Sequence, residues 1–167
     1  MLIIGEKSGI IRKKDSRWLF MKIYKAGSLY SANEEVLNSF IKNGCFCIGE
    51  HEKRIYGKYY NILQKSEIGD IIYVKQGIGR GIRIKAIGFV SSNKIYDYTI
   101  ISDIGNTYTN KGIKVKWVKD YTKNVPMEYY KEIEFPIRKV VNTIEEENNE
   151  EIKTKILLIL DSKMGDI

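Results

Sequence analysis

The stretch GDIIYVKQGIGRGIRIKAIGFV, residues 69–90, holds two apolar, β-branched runs on either side of a short glycine-rich segment. Each run reads as a strand, 68–77 and 81–92, the first opened by a Gly-Asp turn. In the second, Ile82, Ile84 and Ala86 are expected on one face and Arg83 and Lys85 on the other. The GIGRG segment is short enough to make the pair an antiparallel hairpin. These glycines do not form a phosphate loop, because the G-x4-G-K-[ST] spacing is absent. A β-like run rather than a helix follows them, which also excludes the dinucleotide fingerprint. Arg80 is then expected at an exposed tip, placed to touch a phosphate or a groove.

Working outward, RWLFMKIYK (17–25) is aromatic and β-branched enough for a strand. A turn follows, with Ser31 or Asn33 as N-cap candidates. Val36, Leu37, Phe40 and Ile41 then recur at helical spacing, and Lys42 and Gly44 carry the usual helix-end signature. CFCIG leaves that helix as a short strand. Residues 50–67 suit a loop with a short helix around Tyr59–Gln64. YDYTIIS suits a further strand, and 102–112 a polar loop. In GIKVKWVKDY (112–121), Ile113, Val115 and Trp117 share one face and Lys114, Lys116 and Val118 the other, so Trp117 is expected to be structural. Residues 132–144 begin as an extended segment through Pro136. EEENNEE is a solvated acidic run, and 152–162 suits a helix or a strand. The expectation is an α+β fold: a small curved mixed β-sheet or partly open β-barrel flanked by a few helices. Residues 1–144 would form the domain, and 145–167 an acidic linker and C-terminal segment.

The chain has 167 residues, 43% of them hydrophobic, enough for one domain with a real core. No run of 18 apolar residues is present, so no membrane span is expected, and the first residues lack a signal-peptide h-region. A reduced, cytoplasmic protein is the plain reading. The net charge of +7 is unevenly placed. Residues 1–125 hold 22 Lys and Arg against 11 Asp and Glu, whereas 126–167 hold 6 against 10. A basic body with an acidic tail suggests a polyanionic partner, nucleic acid ahead of others.

Both cysteines and the single histidine lie in NGCFCIGEHEKR (43–54). Cys45 and Cys47 are expected on opposite faces of a strand, unable to bridge each other. With His51 they give C-x-C-x3-H and no second pair, which is not a structural zinc pattern. A Cys–His nucleophile would need a third, orienting group, and none can be named. The cysteines therefore read as small apolar residues. The carboxylates form no acid–base or metal motif. No catalytic residue, metal or cofactor is expected. What remains is aromatics among basic residues: Trp18, Tyr24, Tyr30, Phe46, Tyr96, Tyr98 and Trp117, with Lys22, Lys25, Arg80, Arg83 and Lys85. Cations hold phosphates, and aromatic faces stack on bases outside a duplex.

The order of segments resembles the PUA-like group that contains the EVE and YTH domains. It runs WLFMKIYK, a helix ending FIKNG, CFCIG, GDIIYVKQ, IKAIGFV and GIKVKWVK, over roughly residues 17–125. In YTH domains a helix ends in Gly before a Val-Trp step whose Trp walls the aromatic cage for a methylated adenine. NGCF places Phe46 at that position. Lys22-Ile23-Tyr24 stands where a Lys-Ser-Asn segment occurs in YTH domains, and Tyr96 or Tyr98 would have to serve as the second wall. EVE-like domains occur as amino-terminal specificity modules of McrB-type modification-dependent restriction systems.

The resemblance implies a non-enzymatic module that reads a flipped-out, methylated DNA base. Phe46, Trp18, Tyr24, Tyr30, Tyr96 and Tyr98 would form the pocket, and Lys22, Lys25, Arg80, Arg83 and Lys85 the phosphate contacts. An AAA+ NTPase and a nuclease would be fused or partner proteins. The alternatives are a PUA-like module acting on tRNA, rRNA or modified RNA, a protein–protein adaptor, and a nuclease whose site is not apparent.

Overall fold

The computed structural model describes residues 20–30, 34–49, 53–79, 81–123, 125–136 and 143–167. Trp18, Arg80, His51 and the cap candidates Ser31 and Asn33 fall outside them. In chain order the elements are β1 (Ile23–Ala26), β2 (Leu29–Tyr30), β3 (Glu34–Glu35), α1 (Leu37–Asn43), β4 (Cys45–Cys47) and α2 (Lys53–Lys65). There follow β5 (Ile71–Ile78), β6 (Gly81–Ile101), β7 (Thr107–Asp120), a 3-10 turn at Met127–Tyr129, α3 (Tyr130–Ile133), β8 (Glu134–Phe135), β9 (Ile144–Glu146) and α4 (Glu150–Asp161).

The fold is α+β. Among the described residues, seven strands form one mixed sheet in the order β4-β7-β6-β5-β1-β9, with β8 also paired to β6. The sheet curls through 233°, a half-barrel. Among the described strands only β1 and β5 run parallel; β5, β6 and β7 form the antiparallel meander that their short connections dictate. The sheet carries a core on each side, so its strands read as apolar runs. One core places Tyr24, Ile72, Val74, Val115 and Trp117 against Leu37 and Phe40 of α1 and Tyr59 and Leu63 of α2. The other places Ile71, Ile84, Ile87 and Phe135 against Ile152, Ile156 and Ile159 of α4.

Helix α1 ends as the sequence indicates: Gly44 adopts φ 61°, and its N–H closes the last turn onto Ile41. Its start differs, since the chain enters through Val36 with no side-chain cap there. Glu35 performs part of that role, accepting from the Leu37 N–H at 2.9 Å. Helix α2 is longer than expected because Tyr56, Tyr59, Tyr60 and Leu63 recur at i, i+3, i+4 and i+7 against the core. The runs at 81–92 and 96–101 form one strand, β6, bent by irregularities rather than broken by a turn. The loop after it spans only 102–106, and β7 starts at Thr107.

A bulge overturns one face assignment. Val74 pairs with Ala86 but Lys75 pairs with Ile84, so Lys85 is the extra residue. The alternation resets there. Ala86 therefore joins the core under α1 and α2, while Ile82 and Ile84 join the one under α4.

Residues 145–167 are not a separate linker and tail. The expected boundary falls inside β9, which pairs with β1, and α4 caps the second core. Within the acidic run, Glu147 is buried and accepts from the Tyr73 hydroxyl at 2.6 Å. Asn149 caps α4 by accepting from the Ile152 N–H at 3.1 Å. No described helix is long and apolar enough to cross a membrane.

Candidate functional site

Phe46 does not wall a pocket. It is 0% exposed in the core under α1 and α2, with its ring 5.3 Å from that of Phe40. The cause is register: Phe46 pairs with Ile113, on the β7 face that α1 and α2 cover. Tyr24 is also buried in that core, and burial first of all pushes its hydroxyl pKa above the ordinary range. Tyr30 is wedged edge-on between Phe40 and Tyr108, and its hydroxyl donates to the Cys47 carbonyl at 3.3 Å. Trp117 is structural, as expected: its indole N–H donates to the carbonyls of Phe40 and Cys45, at 3.1 and 3.2 Å.

Cys45 and Cys47 share a face, contrary to the sequence reading. Positions two apart on a strand point the same way. Their sulfurs lie 3.8 Å apart, both buried and not bridged. The hydrogen bond to Cys45, and then burial, push the Cys47 thiol pKa far up, so it is inert as a nucleophile at neutral pH. Among the described residues, no three His, Cys, Asp or Glu side chains converge to hold a metal ion.

The four expected phosphate cations among the described residues are occupied. Lys22 pairs with Glu146 at 3.6 Å and Lys25 with Glu145 at 2.6 Å. Arg83 pairs with Glu134 and lies over the Tyr130 ring, and Lys85 pairs with Glu35. Three of these four carboxylates come from the acidic segment after residue 125. The charge asymmetry along the chain is thus partly consumed within the fold: the acidic segment folds back onto the basic body.

A cavity of ≈ 420 Å³ lies beside β1, β5, β9 and the start of α4, lined by Lys25, Tyr73, Lys75, Glu145, Glu147 and Asn148 among others. Its Lys25 is paired with Glu145, and its carboxylates disfavour a phosphate. Among the described residues that line it, Tyr73 has no second aromatic beside it.

The exposed combination of ring and charge lies on the far half of the β6–β7 ladder. Tyr98 pairs with Asn110, Tyr96 with Gly112, Ser92 with Lys114, and Phe89 with Lys116. Cross-strand partners share a face, and so do alternate residues of β7. Tyr96, Tyr98, Lys114 and Lys116 therefore lie on one face of the ladder. Tyr96 is 48% exposed. Tyr98 stands 6.4 Å from it with the ring planes at 84°. Burial, then the neighbouring Cys45 and Cys47, push the Tyr98 pKa up to about 12, so it stays a neutral ring and donor near pH 7. Lys114 and Lys116 are exposed and have no ion pair among the described residues. Lys94 is exposed in the irregular stretch 92–96 between the tyrosines and the lysines.

Of the expected site residues, the structure leaves Tyr96 and Tyr98 outermost and seals or pairs the others it describes. Sequence reasoning missed Lys114 and Lys116 as site residues, although the K-V-K-W-V-K alternation displays them. The chain matches no protein-family model and no curated protein.

Proposed function

We propose that the protein is a nucleic-acid-binding module that stacks an unpaired base on Tyr96 and holds the adjoining phosphates with Lys114 and Lys116. The observation that carries this reading is a ladder face that combines an exposed ring with ammonium groups that have no ion pair among the described residues. Stacking on one ring is worth about 1–3 kcal/mol per base. Phosphate contacts supply the sequence-independent remainder. DNA is the first candidate partner, and the PUA-like resemblance of the sequence agrees with a module of this kind. The selectivity for a methylated base rested on a ring at position 46, and burial of that ring removes its basis.

Fluorescence anisotropy with labelled DNA and RNA oligonucleotides, plain, methylated and hydroxymethylated, tests the reading across a range of salt. Binding should weaken steeply with salt and should weaken further in Lys114→Ala/Lys116→Ala. Arg83→Ala and Lys25→Ala should change affinity less than about twofold, since those charges are already paired. Preference for RNA of the same sequence would move the partner class. Absence of binding to every oligonucleotide at low salt would leave an adaptor in place of a nucleic-acid module.

A further inference from the structure

Resting on that reading, we infer that the face takes a continuous single strand laid along the ladder, not a base extruded from a duplex into a cage. Three features carry this. A cage needs two near-parallel rings that sandwich the base, and Tyr96 and Tyr98 stand at 84° to each other. A base stacked flat on one of them meets only the edge of the other, which is an open platform. Of the other described candidates for a cage wall, Phe46 and Tyr24 are buried, and Phe46 and Tyr30 both pack on Phe40 of α1.

The cations lie in a line. Lys114 and Lys116 are alternate residues of one strand, about 7 Å apart along it at roughly 3.4 Å per residue. That is a run of charges suited to successive phosphates of one extended strand. Lys94 is exposed in the irregular stretch between Ser92 and Tyr96.

Energetics point the same way. Extruding a base from a duplex has an unstacking cost, which a closed pocket must return. An open ring returns only one stacking contact, whereas a single strand offers its bases already free. The expected specificity is therefore for strandedness, with little dependence on sequence or base modification.

The test compares fluorescein-labelled oligothymidylate, the same strand in duplex with oligodeoxyadenylate, and oligouridylate, using the full chain. Folding of each variant is confirmed by circular dichroism. Oligothymidylate should bind at least tenfold more tightly than the duplex. Tyr96→Ala should lose about tenfold on the single strand with the salt slope kept. Tyr96→Trp should bind at least as tightly as the parent. Lys114→Ala/Lys116→Ala should flatten the log–log salt slope by about 1.4, at roughly 0.7 per phosphate contact on a single strand. Duplex binding equal to or tighter than single-strand binding overturns this inference and leaves the nucleic-acid reading standing. An unchanged affinity in Tyr96→Ala overturns it as well. Failure of all three probes to bind overturns both.

Discussion

The rings of Phe40 and Phe46 meet edge to face, with centroids 5.3 Å apart and planes at 63°. One comes from α1 and the other from β4, so the contact fastens the helix to the strand that leaves it. Edge-to-face packing suits the quadrupoles of the two rings. It also closes the space in which a base would have had to lie.

Phe46→Ala should therefore be a stability variant. Removing a fully buried phenyl leaves a cavity, at a cost of about 3–5 kcal/mol. Urea unfolding should show a lower midpoint with the slope unchanged. Oligonucleotide affinity, corrected for the folded fraction, should be unaffected on plain and methylated strands alike. A variant that keeps its midpoint yet loses methylated strands selectively would restore Phe46 as a pocket wall.

Two glycines separate crowding from propensity. At Gly88 an added Cβ would meet Val115 Cγ1 at 2.6 Å, the Lys116 carbonyl at 2.9 Å and the Trp117 ring at 3.0 Å. At Gly57, within α2, it would meet nothing within 4 Å. Gly88→Ala should destabilise by about 1–3 kcal/mol through overpacking. Gly57→Ala should stabilise by about 0.5–1 kcal/mol, because alanine loses less backbone freedom in a helix. Thermal melts of the two variants should move in opposite directions, and movement in the same direction would refute the pairing of causes.

Much of the architecture was legible because its determinants are local. The 112–121 alternation correctly separates Ile113, Val115 and Trp117 from Lys114 and Lys116. Gly44 marks the end of α1 through its left-handed backbone. What could not be read is register. The extra residue at Lys85 moves Ala86 into the other core, and nothing in IRIKAIG announces it. The same limit governs the candidate site. That Tyr96 shares a face with Lys114 depends on Tyr96 pairing with Gly112, past irregularities that only the assembled ladder displays. Ion pairing is equally non-local: Arg83 meets Glu134 across 51 residues, so its charge looked free in the sequence.

Buried and half-buried tyrosines set the alkaline limit of stability. Burial raises the pKa of Tyr98 from the ordinary 10.0 to about 12, and those of Tyr24, Tyr30, Tyr73 and Tyr121 also go up. A raised folded-state pKa means that the native state holds the proton more tightly than the unfolded chain. The associated stability is fully present below about pH 10 and is lost as pH rises from about 10 through about 12. Urea midpoints should be flat from about pH 8 to pH 9.5 and fall steeply above it. Tyrosinate absorbance of the native protein should also appear later than that of the unfolded chain. Equal titration of the two states would show that these hydroxyls are not sequestered.

A buried lysine anchors the C-terminal residues to the sheet. Lys119 on β7 is 1% exposed, and its ammonium donates to the Ser162 carbonyl and the Asp166 carboxylate. Backbone bonds run beside it: Asp120 N–H donates to the Gly165 carbonyl at 2.8 Å, and Ile167 N–H to that of Val118 at 3.3 Å. A buried ammonium is tolerable only with an acceptor set of this kind. Asp166→Ala leaves the charge buried with one neutral acceptor. The usual penalty for breaking a buried pair is about 3–5 kcal/mol. The carboxylate is itself more than half exposed, so about 1–3 kcal/mol is expected after solvent screening. Lys119→Met in the Asp166→Ala background removes the charge while keeping an apolar stem, and should recover part of that loss. The double variant should therefore unfold at higher urea than Asp166→Ala alone. If it unfolds earlier, the ammonium contributes through its hydrogen bond to Ser162 and not through the ion pair.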